Sequence, residues 1–169
     1  MDFTFSPEEE RFRKDLRTLL SELLPTDWSL RGLAEPVDSD ERNALAEQIS
    51  RAFGERRWLA MAWPEAHGGL DASYLQQYLF NEELAYRDAP GGGGVGVSSV
   101  GPAIMQHGSE EQRSLYLPRI ANASDRWCAL YSEPGAGSDL ASIQTRAIRD
   151  GDEYVVNGLK TWVASADRA

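Results

Sequence analysis

One cysteine, Cys128, and two histidines, His67 and His107, are all that this chain holds of the residues that build disulfide frameworks and soft-metal centres. A lone cysteine excludes an internal disulfide and a cysteine metal cluster. The histidines stand apart in loop-like stretches. Neither a zinc site nor a Ser-His-Asp triad can be built on them, and both are expected at the surface. No apolar run approaches the roughly 20 residues of a membrane span. Met1 is followed at once by Asp2 and an acidic helix start, a pattern of neither a secretory signal nor an Arg-rich transit peptide, so a reducing cytoplasm is the expectation. Basic charge is also scarce. Seventeen Lys and Arg against 27 Asp and Glu give a formal net charge of −10, which argues against sequence-independent binding to nucleic acid or an anionic membrane. No G-x-x-x-x-G-K-[ST] pattern occurs. Gly91, Gly93 and Gly96 satisfy G-x-G-x-x-G in form only, because a helical pattern and Pro90 precede them where a nucleotide site needs a strand; they read as a linker.

What is present runs from helices to strands. The 169 residues would suit one ordinary domain with a real core. Ser6-Pro7-Glu8-Glu9-Glu10 combines an N-cap residue, a first-turn proline and acids at the positive end of the helix dipole. Phe12, Leu16, Leu19, Leu20 and Leu23 follow on one face, and Pro25 ends the helix. Thr26 to Val37 reads as loop. A second helix is predicted from Asp38-Ser39-Asp40-Glu41 to about Arg56, with Leu45, Ile49, Ala52 and Phe53 inward. Trp58 to Leu70 is irregular. A third helix should span about Ser73 to Arg87, burying Leu75, Leu79, Leu84 and Tyr78 or Tyr86. A glycine-rich break follows, then a small-residue helix over about Val95 to His107, ended by Gly108 with φ > 0. Ser109-Glu110-Glu111-Gln112 resembles a capping box and opens a helix toward Ile120, with a bend near Pro118. From Trp127 the pattern is strand-like. Ile143 to Ile148 and Glu153 to Val156 flank the turn signal Asp150-Gly151, and Asn157-Gly158 is a second such signal before Lys160-Thr161-Trp162-Val163. This order predicts an α+β chain with a boundary near Asn122 to Asp125. Trp28, Trp58, Trp63 and Trp127 read as core or interface anchors.

One stretch is not explained by packing alone. Trp127-Cys128-Ala129-Leu130-Tyr131 leads into Ser132-Glu133-Pro134-Gly135-Ala136-Gly137-Ser138-Asp139. Proline fixes its own φ, while the glycines permit φ > 0 and let a ligand approach the backbone. Successive N–H groups in such a turn make a concave anion site, to which Ser132 and Ser138 add hydroxyl donors. A tight loop held by its own Ser and Asp hydrogen bonds is the alternative.

The stretch Ser132 to Asp139 resembles the signature of the acyl-CoA dehydrogenase family. Gly151-Asp152-Glu153-Tyr154-Val155-Val156-Asn157-Gly158-Leu159-Lys160-Thr161-Trp162-Val163 resembles that family's hairpin ending in a flavin-contacting tryptophan. Leu59-Ala60-Met61-Ala62-Trp63-Pro64 with Gly68-Gly69 is similar to a loop of its helical domain. The resemblance runs from about Phe5 to the last residue. It implies an N-terminal all-α helical domain, residues 1–124, followed by the first strands of a β-barrel-like middle domain, residues 125–169, with the family's C-terminal helical bundle absent from this chain.

The same resemblance implies FAD as cofactor and an acyl-CoA thioester as substrate, oxidised to the α,β-unsaturated product. Ala129, Leu130, Tyr131, Ser132, Gly137, Ser138, Trp162, Val163 and Ala164 are then the expected flavin-facing residues, with Ser138 also touching the acyl-CoA. Ser132 would hydrogen-bond the flavin near N5 or O4, and Trp162 would pack on the ring. Relatives often carry a hydroxyl where this chain has Ala164; Ser165 would point to the opposite face of a strand. Glu133 and Asp139 are expected to hold the loop and not to catalyse. The family's catalytic glutamate lies in the C-terminal bundle, so no base is named here, and a sheet that stops after Trp162 would expose unpaired edges. The family is usually tetrameric and passes electrons to an electron-transferring flavoprotein. Two other readings stay open: a non-catalytic flavin- or CoA-binding subunit completed by a partner chain, and a flavin oxidase or monooxygenase on the same scaffold.

Overall fold

The computed structural model describes residues 4–28, 36 and 39–169. It divides into two compact units, Met1–Asp125 and Arg126–Ala169. The loop read over Thr26 to Val37 lies mostly outside the described residues.

The first unit is helical. α1 spans Pro7–Leu23, α2 Asp40–Glu55, α3 Tyr74–Tyr86, α4 Gly101–His107 and α5 Glu110–Ala121. The starts of α1, α2, α3 and α5 are the ones the capping residues dictate, whereas α4 has no side-chain cap. The Ser6 hydroxyl accepts the Glu9 N–H while the Glu9 carboxylate accepts the Ser6 N–H, and Ser73 with Gln76 and Ser109 with Gln112 form the same reciprocal box. Ser39 caps α2. α1 stops before Pro25, because a residue preceding proline is driven out of the helical region; Leu24 is extended, with ψ 137°. α5 continues through Pro118 to Ala121.

The core is where the periodicity puts it. Leu16, Leu19 and Leu20 of α1 meet Leu45, Ile49 and Phe53 of α2 and Phe80 and Leu84 of α3, with Trp28, Leu59 and Met61 filling between them. The Phe53 and Phe80 rings meet edge-on at 4.9 Å. Such edge-to-face pairs add about 0.5–1.5 kcal/mol beyond the area they bury. The inward face of α3 differs from the expected one. Leu79, Phe80, Glu83 and Leu84 are buried, whereas Leu75, Tyr78 and Tyr86 are exposed. The face is rotated because it must bring Glu83 to α1. Glu83 is 2% exposed and accepts from Arg13 Nε at 2.7 Å and Arg17 Nε at 2.9 Å, with Arg87 Nε at 3.8 Å. Burial alone would raise its pKa; the hydrogen bonds from Arg17 and Arg13 outweigh that and set it below the ordinary value.

The small-residue helix is not α-helical throughout. Gly96–Val100 is a π turn, closed by the Gly101 N–H on the Gly96 carbonyl. Pro102 supplies the reason. In an α-helix its ring would meet the Ser98 carbonyl, and the wider turn removes that conflict. Gly101 packs under the Trp63 ring, where an added Cβ would fall 2.1 Å from a ring carbon, and Trp63 Nε1 donates to the Val97 carbonyl at 3.1 Å. Gly108 does not end α4 with a positive φ; its φ is −71°. Glycine is needed there for close approach, since a Cβ would lie 2.6 Å from the Ile104 carbonyl oxygen.

The second unit holds one antiparallel hairpin, β1 Arg146–Asp150 and β2 Glu153–Asn157, in register from Arg146 opposite Asn157 to Asp150 opposite Glu153. Gly151 opens its two-residue turn with φ 61°. Both strands are exposed along their whole length. Helices followed by strands is the α+β order read from the sequence. Two predicted strands do not form. Trp127 to Tyr131 has no ladder partner among the described residues, and Lys160 to Val163 is irregular, with a bend at Trp162. Asn157-Gly158 makes no hairpin. Gly158 is instead a close-approach glycine, whose added Cβ would meet Thr145 Oγ1 at 2.1 Å.

Candidate functional site

The signature loop is organised by one carboxylate. Glu133 is nearly buried and accepts the backbone N–H groups of Gln144 at 2.7 Å and Thr145 at 2.8 Å, and the Lys160 ammonium at 2.9 Å. This explains why the strand predicted from Ile143 begins only at Arg146: the N–H groups of Gln144 and Thr145 are turned to Glu133. The Thr145 hydroxyl beside it, the Lys160 ammonium and those two N–H groups hold the Glu133 carboxyl down to about 2. Glu133 also closes the turn through its backbone, with its N–H on the Ala136 carbonyl at 2.9 Å and the Ala136 N–H on its own carbonyl at 3.0 Å. Glu133 is therefore structural, as expected. Asp139 helps in a different way, through its carbonyl, which accepts the Ser142 N–H and hydroxyl.

The hairpin's trailing segment is tied to the same loop. Lys160 Nζ donates to the Tyr131 carbonyl at 2.9 Å, and the Thr161 N–H donates to the Ser132 carbonyl at 2.9 Å. Of the residues singled out from the sequence, Tyr131 and Ser132 are thus brought beside the segment that carries Trp162, Val163 and Ala164. Ala129, Leu130, Gly137 and Ser138 flank that junction along the chain. Ala129, Ser132 and Val163 are half-buried, while Leu130, Tyr131, Gly137, Ser138 and Ala164 are exposed. Trp162 is 94% exposed and has φ 57°. A left-handed backbone at a bulky residue stores strain that the surroundings must impose. Ser165 is also left-handed, at φ 59°, in a turn that the Arg168 N–H closes on its carbonyl. The opposite-face argument for Ser165 therefore does not hold, because alternation belongs to strands.

The loop glycines behave unlike the sequence reading in one respect. Gly135 and Gly137 are absent from the left-handed positions, and a Cβ added at either would meet nothing within 4 Å. Neither backbone conformation nor packing within the chain requires glycine there. Glycine at both positions leaves the backbone open to close approach from outside the chain. Among the described residues, the Ser132 hydroxyl and the N–H groups of Ser132, Gly135, Gly137 and Ser138 have no hydrogen-bond partner in the chain. A set of unpaired neutral donors beside a carboxylate already neutralised by Lys160 suits an anionic, hydrogen-bonding group. The sequence reading missed Lys160. Its signal was the lysine placed just before Trp162 in a segment that returns to the loop. Among the described residues, no group of three or more His, Cys, Asp and Glu could hold a metal ion, and no helix is long and apolar enough to cross a membrane.

Comparison with known proteins matches residues 6–124 to the acyl-CoA dehydrogenase N-terminal domain and residues 128–169 to the acyl-CoA dehydrogenase middle domain. Acyl-CoA dehydrogenase FadE26 of Mycobacterium tuberculosis is 37% identical over 97% of this chain and 40% of its own length. Acyl-CoA dehydrogenase IpdE1 of the same organism is 40% identical over 93% of this chain and 41% of its own length. Among solved structures, the ChsE4-ChsE5 complex from Mycobacterium tuberculosis superposes with a TM-score of 0.79 at 37% identity, over 96% of this chain and 40% of that one. The Tcur3481-Tcur3483 steroid ACAD gives 0.83 at 36% identity, over 100% of this chain and 43% of that one. The chain thus spans about two fifths of the length of these relatives.

Proposed function

Because this chain belongs to the acyl-CoA dehydrogenase family, we propose that it supplies the N-terminal helical domain, 1–124, and the start of the flavin-facing middle domain, 125–169, of an FAD-dependent enzyme that oxidises an acyl-CoA thioester. The chemistry FAD supplies when bound is acceptance of the β hydrogen as hydride at N5 while a carboxylate takes the α proton, which leaves an α,β double bond. That carboxylate is expected outside this chain. This chain's own part is to bind and orient. The Ser132 hydroxyl donates near N5 or O4, where negative charge develops. Gly137 and Ser138 serve the diphosphate, and Ser138 also touches the acyl-CoA. Trp162 packs on the flavin ring, with Ala129, Leu130, Tyr131, Val163 and Ala164 around it.

The observation that carries this reading is the pair Gly135 and Gly137: open to the outside, unforced by backbone angle, and set among unpaired donors. Its test is the intact mass of every polypeptide that purifies with this chain, together with the visible spectrum and an anaerobic acyl-CoA addition. Oxidised-flavin bands that bleach with an acyl-CoA support the reading. A preparation without flavin, which also takes up none on titration with FAD, overturns it.

A second reading is favoured by the two-protein complexes among the matched structures. Here the chain is one subunit of a hetero-oligomer, and a partner chain brings the base. A second polypeptide in the mass spectrum selects it. Thioesters of both a straight-chain and a steroid-derived acid belong in the assay, since one matched structure is a steroid enzyme. Electron transfer to an electron-transferring flavoprotein and a tetrameric assembly complete the proposal on family grounds. Rapid reaction of the reduced flavin with oxygen would instead mark an oxidase or monooxygenase.

A further inference from the structure

We infer that Lys160, paired with Glu133, is a positioning residue that presents the Ser132 hydroxyl and N–H to the flavin; this rests on the flavin reading above. One ammonium grips the backbone on one side of Ser132 and the side chain on the other. It donates to the Tyr131 carbonyl and to Glu133 Oε1, both at 2.9 Å. The next residue, Thr161, donates its N–H to the Ser132 carbonyl at 2.9 Å. The Glu133 N–H and carbonyl are closed on Ala136. All three carbonyls from Tyr131 to Glu133 are therefore occupied. What remains unpaired at the centre are two donors, both on Ser132. The pair is well shielded, with side chains 16% and 8% exposed, so its hydrogen bonds act in a low dielectric and fix geometry strongly. The same three contacts join the signature loop to the segment bearing Trp162. A shift of Lys160 would therefore move both flavin-facing segments together.

The test is a double-mutant cycle in the assembled protein, read as the FAD dissociation constant and the flavin reduction potential. Lys160→Met removes the ammonium, and Ser132→Ala removes the donor it is argued to present. Lys160→Met alone should weaken FAD binding about tenfold or more, the usual weight of a charged hydrogen bond. In the Ser132→Ala background the same change should cost clearly less than it does alone, by more than the roughly twofold additivity error, because the hydroxyl is gone while the Ser132 N–H and the Trp162 segment still depend on Lys160. Exchange of the Thr161 amide proton, followed without flavin, should quicken in Lys160→Met. Lys160→Arg keeps the charge and repeats the cycle if the methionine variant does not fold. Full additivity of the two substitutions, or an unchanged affinity in Lys160→Met, overturns the inference while leaving the flavin reading intact. A wild-type protein that binds no FAD removes the flavin reading, and this one with it.

Discussion

At the scale of single residues, the signature loop separates what holds it from what it offers. Glu133 holds; Gly135 and Gly137 offer. Gly137→Ala should leave the flavin-free protein as stable as before, or more stable by about 0.4–1 kcal/mol, because alanine restricts the unfolded chain and meets no native obstacle. Its FAD affinity should fall. Thermal unfolding and flavin titration check the two halves separately. The pH dependence of the loop follows from Glu133. Its folded carboxyl sits at about 2 against an ordinary 4.5, so the ionised group stabilises the loop fully above about 4.5 and loses that contribution as pH falls toward 2. Amide exchange at Gln144 and Thr145 should stay slow at neutral pH and quicken across that acid window. The signature was legible through its resemblance to a known family, and a loop-holding role for Glu133 was expected from local carboxylate-to-backbone bonding. The role of Lys160 was not, because it depends on a return of the chain that no local pattern encodes.

At the scale of elements, α1 and α3 are joined by apolar packing and by the arginines around Glu83. Replacing Glu83 by glutamine leaves Arg13 and Arg17 facing a neutral group and should cost about 2–3 kcal/mol, somewhat below the full penalty of a broken buried pair because Arg17 is half exposed. Denaturant unfolding followed by far-ultraviolet dichroism reads it. Gly101→Ala drives a methyl into the Trp63 ring and should cost about 1–3 kcal/mol by overpacking. Four of the five helices were legible because their starts carry a cap: Ser6, Ser39, Ser73 and Ser109 all do the work their positions suggest. The face of α3 was not, since a buried glutamate looks like a surface residue until its arginines are found on another helix. The π turn escaped as well, because it answers to Pro102, a clash expressed only once the helix is built.

At the scale of the whole molecule, the two units differ in how they are held. The helical unit owns a core of leucines and aromatics. The hairpin unit does not: Ile148, Tyr154 and Val156 are each more than 60% exposed. A two-stranded hairpin in water is marginal by itself. Amides of β1 and β2 should therefore exchange far faster than those of α1 to α3 in the isolated chain, and become protected when the remainder of the sheet is supplied in cis or by a partner. The tryptophans are distributed in the same uneven way. Trp28 and Trp63 are enclosed, Trp58 and Trp127 half so, and Trp162 stands in solvent. The emission of this chain should accordingly have a red, quencher-accessible component belonging to Trp162, at the edge of the proposed cofactor site. That makes Trp162 a built-in optical gauge, whose colour and brightness report when that site is covered, with no label added.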